Sequence, residues 1–383
     1  MSTSNASPPT NGSKWDGNSM SQQDFMEKDT VIVLDDDDNC IGSESKRAAH
    51  EFLPSQPRGV LHRAFSVFIF DESTGELLLQ QRASSKITFA SVWTNTCCSH
   101  PLHGMDPPEV DRPEDVANGS VMGAKHAAVR KLDHELGIPA HQLPLEKFKF
   151  LTRLHYWAAD TVTHGPKSPW GEHEIDYVLF FTVPSKDMLT IKGHPDEVDD
   201  VKWVTQSELV SMMDDSSLLF SPWFRLIVNK WVLSTDGWWS ELKKTMETDI
   251  HCDYKSIHCF DPPKEHMGGG GDAGPLFGEV PKEVLTVGDT SKKQGGYGKL
   301  KIHKESKSSQ LSHIDEVWAA ITLLYIKPLK SNLDSKYVKE TYNTSDLQFC
   351  DEILCKVSRS FASVIRQLPP TMLVDVLIFY LIL

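Results

Sequence analysis

Between residues 61 and 80 the chain carries the pattern of a buried sheet. Ala64-Phe65-Ser66-Val67-Phe68-Ile69-Phe70 is rich in aromatic and β-branched residues. Asp71-Glu72-Ser73-Thr74-Gly75 follows as a turn cluster, and the apolar run resumes over Glu76 to Gln80. This predicts a β-hairpin. Upstream, Thr30 to Leu34 reads as a strand and Asp35 to Asn39 as a turn. That acid run is expected on the surface rather than at a metal. Val121, Ala124, Ala128, Leu132 and Leu136 keep near-helical spacing and Gly137 follows as a stop, so a helix is predicted over 121–136. Ile175 to Val183 and Val198 to Val204 read as strands. A helix is expected from Ser207, with Glu208 in its first turn, and another from Pro222 to Leu233. Strands interleaved with helices predict an α/β (α+β) layered fold.

Outside this stretch the pattern changes. Residues 1–28 are rich in Ser, Asn, Pro and Gly at their start and are expected to be disordered. Residues 263–306 hold the Gly268–Gly271 run and read as a flexible linker. Helical periodicity returns at Leu311 to Tyr325, at Asp346 to Leu368 before Pro369-Pro370, and at Leu373 to Leu383. The expected divisions are therefore 1–28, a domain over 29–262, a linker over 263–306 and a helical segment over 307–383. Leu373 to Leu383 is shorter than the ~20 residues that span a bilayer.

At 383 residues with a net charge of −14, the chain is expected to hold about two domains. The acidic balance argues against a general nucleic-acid binder, which needs a basic stripe. It leaves room for an anionic ligand held by a few local Lys and Arg. Seven scattered cysteines suit a reducing compartment better than a disulfide framework. The first residues lack the apolar core of a signal peptide, and a cytoplasmic location is expected.

Three clusters carry candidate chemistry. In Thr94-Asn95-Thr96-Cys97-Cys98-Ser99-His100-Pro101, two thiols and an imidazole sit together; buried core residues are the plain alternative. In Trp170-Gly171-Glu172-His173-Glu174-Ile175-Asp176-Tyr177, a strand would place Glu172, Glu174 and Asp176 on one face. Carboxylates so crowded need a cation or a proton-transfer role, unless the face is solvated. Val129 to Gly137 resembles the end of a Nudix box, the diphosphate-handling helix of that superfamily. Arg130, Glu135 and Gly137 match it, whereas Lys131 and His134 stand where glutamates belong, and Val116 and Met122 replace the upstream Gly and Glu. The resemblance thus disfavours hydrolysis through several magnesium ions and leaves Glu135 to hold one.

From about Val31 to Phe260 the chain resembles type I isopentenyl-diphosphate isomerases. The matching strings are Glu44 to His50, Leu61 to Ser66, Gln80-Gln81-Arg82, Trp93 to Pro101, Trp170 to Tyr177 and Ser221-Pro222-Trp223-Phe224. The resemblance implies a Nudix-like mixed-sheet sandwich flanked by helices. It implies a divalent metal, Zn2+ or Mn2+, held by His50, His62, His100, Glu172 and Glu174. It implies a Mg2+ ion at Glu135 bridging the diphosphate of isopentenyl or dimethylallyl diphosphate. Cys98 matches the catalytic thiol, Glu174 the facing acid, Tyr156 a tyrosine that assists proton delivery, and Trp223 the aromatic face over a carbocation. Lys46, Arg82 and Lys86 match phosphate-binding residues, and Lys131 stands where the family commonly has Arg. Phe89-Ala90-Ser91 departs from the family's usual Phe-Pro-Gly, which changes the turn's φ restrictions. The alternatives are a Nudix-type diphosphohydrolase and a non-catalytic fragment that delivers prenyl diphosphates to a partner.

Phe349 to Leu383 resembles the start of squalene synthase. Ser358, Arg359, Phe361 and Tyr380 match pocket residues of that family, which implies a fusion whose second part is truncated and functional coupling to squalene synthesis. The family's aspartate-rich magnesium motif is not present in the 383 residues. The chain is therefore expected to form neither squalene nor presqualene diphosphate from farnesyl diphosphate, and product analysis that detects either one would overturn this.

Overall fold

The period-2 stretches become strands that share one mixed sheet. The computed structural model describes residues 15–234, 237–268 and 273–278. In chain order the strands are β1 (Thr30–Leu34), β2 (Cys40–Ser45), β3 (His62–Asp71), β4 (Leu77–Arg82), β5 (Trp93–Thr94), β6 (Cys97–Ser99), β7 (Lys149–Ala159), β8 (Gly171–Val183), β9 (Val198–Val204) and β10 (Ile257–Phe260). The main path runs β10-β7-β8-β3-β1-β2, while β4 pairs with β3, β5 and β9, and β6 pairs with β3. The hairpin of β3 and β4 is the predicted one. β3 and β8 run parallel in continuous register from His62↔Glu174 to Asp71↔Val183. Beyond β8, β7 is antiparallel.

Alternation sends successive side chains to opposite faces, and each face has its own core. Phe65, Val67 and Ile69 pack with Ala124, Ala128, Leu132 and Leu136 of the helix Met122–Leu136. Phe68 and Phe70 pack with Tyr156, Phe180, Trp223 and Phe224 on the other face. The helix expected over 222–233 begins at Pro222 and stays α-helical to Ile227, then continues as a π-helical turn, Val228–Val232. The helix expected from Ser207 spans Gln206–Asp214 behind a Thr205–Glu208 capping box.

The helix Met122–Leu136 takes its entry cap from a distance. Val121 precedes it at φ 35°, and the Gly123 and Ala124 amides donate to the two carboxylate oxygens of Asp111, at 2.7 and 2.8 Å. A Cβ at position 123 would lie 2.5 Å from the Glu109 carbonyl oxygen, so the helix start can approach that loop only with glycine there. Gly137 closes the helix at φ 62°.

Three expectations are corrected. Residues 15–28, expected to be disordered, are packed. Ser21 and Asp24 cap the helix Gln22–Lys28 reciprocally, Phe25 and Met26 are buried, and the Trp15 indole donates to Asp29 at 3.1 Å. The Ser-x-x-Asp box was a helix signal inside a polar stretch. The expected linker also begins bound to the domain. The Asp261 carboxylate accepts from the Leu276 and Phe277 amides, at 2.6 and 2.8 Å, and Arg58 donates to the Ala273 and Gly274 carbonyls. Finally, the acid run is not wholly at the surface. Asp38 is buried and accepts from Arg63, Arg153 at 2.8 Å and Tyr177 at 2.5 Å. Two buried guanidinium groups supply the reason: their charge demands a buried partner.

The chain divides into units Met1–Gly295 and Gly296–Leu383. The second unit lies outside the described residues, and with it the helices expected at 311–325, 346–368 and 373–383 and the squalene synthase-like residues Ser358, Arg359, Phe361 and Tyr380. No helix among the described residues is long and apolar enough to cross a membrane.

Asp38→Asn removes the charge that answers Arg63 and Arg153. It is expected to destabilise the fold by about 3 kcal/mol, read as a lower denaturant midpoint at unchanged m-value; a loss below about 1 kcal/mol would mean the network is not the anchor described.

Candidate active site

The site gathers where β3 changes partners. One edge of β3 pairs with β6 at Phe65 to Val67 and then with β4 at Ile69 and Phe70. Its other edge lies against β8. A cleft opens there, lined among others by Lys46, Arg82, Lys86, Cys98, Glu135, Tyr156, Asp176 and Trp223.

At one end of the cleft His50, His62, His100, Glu172 and Glu174 place their ligand atoms within 4.8 Å of one another, all buried. Their elements explain the convergence. His50 ends the short helix Lys46–His50. His62 opens β3 directly opposite Glu174, and Glu172 and Glu174 share a face of β8. The outer nitrogens are tied down: His50 Nδ1 donates to the Lys46 carbonyl at 2.6 Å and His62 Nδ1 to the Val60 carbonyl at 2.7 Å. A carbonyl can only accept, so each ring keeps its proton on Nδ1 and presents the Nε2 lone pair inward. His50 Nε2, His62 Nε2 and Glu172 Oε2 are buried with no hydrogen-bond partner. His100 Nε2 lies 2.7 Å from Glu174 Oε1, and burial, with His62 and Lys46 close by, holds its pKa well below the ordinary histidine value. Orphaned imidazole lone pairs facing carboxylates form a mixed N/O donor set that suits a divalent metal.

Cys98 and the Tyr156–Glu174 pair face the same cleft. The Tyr156 hydroxyl donates to Glu174 Oε2 at 2.5 Å. Burial works to raise the Glu174 pKa, but the neighbouring His62 and the hydrogen bond from Tyr156 outweigh it and hold the group below the ordinary glutamate value. Burial pushes the Cys98 thiol up to about 12, against the pull of Arg82. The thiol therefore holds its proton at neutral pH.

Trp223 is set edge-on to Phe89, 5.3 Å between ring centroids, and its indole donates to Asn95 Oδ1 at 3.2 Å. Asn95 in turn donates to the Val67 and Cys97 carbonyls. Asn95 was legible only as part of a matching string, because nothing in its residue type marks it as the support of an aromatic wall. Arg82 donates to the Phe89 and Thr88 carbonyls, each at 2.9 Å, and reaches Cys98 Sγ at 3.6 Å. It fixes the 88–91 loop as well as facing the cleft. In that loop Phe89 and Ser91 adopt φ of 48° and 60°. The turn thus forms without the Pro and Gly, at a cost in backbone strain.

Lys46 and Lys86 also line the cleft. Burial, with Lys86 and Lys131 nearby, brings Lys46 down to about 8. Glu135 lines the cleft but stands apart from the five-residue cluster, accepting from Gln80 and from Lys131, each at 3.1 Å. Of the four phosphate-contact candidates, Lys46, Arg82, Lys86 and Lys131, only Lys131 does not line the cleft. Its ammonium is held between Glu135 and Glu197 and against the Phe25 ring, 5.4 Å from the centroid. Helical spacing of four residues turns Lys131 to its own acid, Glu135. Asp176 completes the cleft wall. It accepts from Ser66 at 2.8 Å, and burial beside Glu174 and Glu172 raises its pKa well above the carboxylate range. Its signal was the i, i+2 spacing from Glu174.

Residues 60–224 match the NUDIX domain family. The isopentenyl-diphosphate delta-isomerase of Candida albicans is 46% identical over 235 residues, which cover 60% of this chain and 78% of that protein. That of Aspergillus fumigatus is 50% identical over 222 residues, 56% and 72% respectively. That of Phaffia rhodozyma is 40% identical over 262 residues, 67% and 96%.

A ligand that binds only the native state stabilises it, by about 2.7 kcal/mol at a hundredfold excess over Kd. Zn2+ or Mn2+ added to metal-stripped protein is expected to raise the thermal midpoint. A His50→Ala, His62→Ala double variant should lose most of that rise, and a rise that is unchanged would place the ion elsewhere.

Proposed function

From the premise that this chain belongs to the isopentenyl-diphosphate delta-isomerase family, we propose how its residues carry out that isomerisation. The chain is an isomerase of isoprenoid metabolism that interconverts isopentenyl and dimethylallyl diphosphate. The reaction adds a proton to the terminal alkene carbon, passes through a tertiary carbocation, and loses a proton from the carbon next to the carbinol. Atoms balance with no co-reactant. Two proton-carrying groups are needed on the cleft walls, one to give and one to take.

Those groups are the Cys98 thiol and the Glu174–Tyr156 pair. The observation that carries the assignment is a protonated thiol and an anionic carboxylate, hydrogen-bonded to a tyrosine, lining one buried cleft. The reaction is reversible, so each group gives in one direction and takes in the other. An alkene is a weak base, and such a transfer requires an adjacent, oriented acid shielded from water. Trp223 faces the cation with π-density, an interaction of about 2 kcal/mol or more when desolvated. Lys46, Arg82 and Lys86 meet the diphosphate.

His50, His62, His100, Glu172 and Glu174 would hold a Zn2+ or Mn2+ ion and Glu135 a Mg2+ ion, and when bound these would supply positive charge to the crowded carboxylates and the diphosphate. Lys131 adds long-range positive charge behind Glu135 rather than a direct contact. Its ammonium beside Glu135 also speaks against a diphosphohydrolase, which needs acids in that place. A cytoplasmic setting, expected from the character of the first residues, and a link to sterol biosynthesis with coupling to squalene synthase through residues 307–383, expected from the sequence resemblance, complete the proposal.

Purified protein with isopentenyl diphosphate and divalent metal is expected to yield the dimethylallyl isomer by proton NMR. Cys98→Ala and Glu174→Gln should each lower kcat by about a thousandfold, with little change in the thermal midpoint of Cys98→Ala. A Cys98→Ala protein of full activity would refute the mechanism.

A further inference from the structure

Glu197 has no place in the chemistry above, yet it is a junction of the cleft's phosphate end. It sits just before β9 and is 2% exposed. Its carboxylate accepts from Lys86 Nζ, lies 3.9 Å from Lys131 Nζ and accepts from Gln22 Nε2 at 2.9 Å. Its backbone is tied to the same parts. The Glu197 carbonyl accepts from the Ala83 amide at 3.0 Å, and the Lys86 amide bonds back to the Ala83 carbonyl at 3.1 Å. The neighbouring Asp196 carbonyl accepts from Ser85, and Asp199 accepts from the Ser84 amide. On the other side the Glu197 amide donates to the His194 carbonyl, and the His194 amide donates to the Glu135 carbonyl at 2.8 Å. One turn therefore joins the loop that carries Lys86 to the helix that carries Lys131 and Glu135.

The charges explain why such a junction is needed. Lys46, Lys86 and Lys131 crowd one water-poor region, and their repulsion bears on Lys46. Without an acid between them, Lys86 and Lys131 would compete for Glu135 or swing to solvent. Glu197 supplies that acid, and it sorts the two lysines: Lys86 reaches the cleft wall while Lys131 is drawn away from it.

We propose that Glu197 is a positioning residue for the diphosphate, holding the Lys86 ammonium at the cleft wall and retaining Lys131 behind it. This rests on the reading that Lys86 meets the diphosphate. Loss of the Glu197 charge acts on binding, because the ion pair it forms is present before the proton transfers begin.

The full chain, loaded with divalent metal, is compared as wild type, Glu197→Gln, Lys86→Met and the double variant. The readouts are kcat, KM for isopentenyl diphosphate, Ki for inorganic pyrophosphate and thermal midpoint. Glu197→Gln is expected to raise KM and Ki about tenfold, with kcat within about twofold of wild type. In the Lys86→Met background the same substitution should add less than about twofold, since it acts through Lys86. A fall in kcat at unchanged KM and Ki would show a merely structural role and overturn the proposal, as would effects that multiply fully in the double variant. If Lys86→Met raises Ki and Glu197→Gln does not, the Glu197 role alone falls. If Lys86→Met leaves both KM and Ki unchanged, the diphosphate reading of Lys86 falls and takes the proposal with it.

Discussion

The parallel register between β3 and β8 is the constraint on which the rest depends. Pairing His62 with Glu174 sets the imidazole against the carboxylate, and pairing Ser66 with Val178 leaves the Ser66 hydroxyl beside Asp176 on one face. Because side chains alternate with a period of two, a slip of one residue would turn Glu172, Glu174 and Asp176 into the opposite core. The same slip would expose Ile175 and Tyr177 to the cleft. The register is held by apolar residues on both faces, Phe65, Val67 and Ile69 on one and Phe68 and Phe70 on the other. The hydrophobic cores thus pin the polar site, and the site adds crowded carboxylates that the cores must outweigh.

Electrostatics within the cleft run against the sign of the whole chain. A net charge of −14 is spread over the sequence, while the cleft gathers Lys46, Lys86 and Arg82 on its walls. Low dielectric and exclusion of water make near charges decisive and distant ones weak. Net charge therefore says nothing about the sign of a ligand held in the cleft. The same walls carry the buried Glu172 and Glu174 and the Cys98 thiol, which burial holds protonated at neutral pH.

Legibility followed locality. The hairpin of β3 and β4, the helix ending at Gly137 and the shared face of Glu172 and Glu174 were visible because each depends on spacing along one stretch of chain. Bringing His50, His62 and His100 together took the family resemblance, since nothing in spacing alone links positions 50 and 100. Asp38 was misread because its burial is imposed by Arg63 and Arg153, which reach it from β3 and β7. The strand β7 itself passed unrecognised as an element. Lys131 was read as a phosphate contact, but its own helix supplies the competing acid four residues on. The helix Gln22–Lys28 hid in a polar segment because one capping box and two buried side chains suffice to dock it.

Cys97 and Cys98 are neighbours in sequence, but the pleat of β6 sends them to opposite sides of the sheet. Cys97 packs into the helix-side core near Glu135, while Cys98 faces the cleft. A thiol oxidised to a sulfenic acid is normally rescued by a second thiol that condenses with it to a disulfide. Here the adjacent sulfur is on the wrong side of the backbone to resolve it. Oxidative damage at Cys98 would therefore find no partner next door, and protection must come from burial and the raised thiol pKa rather than from repair within the pair.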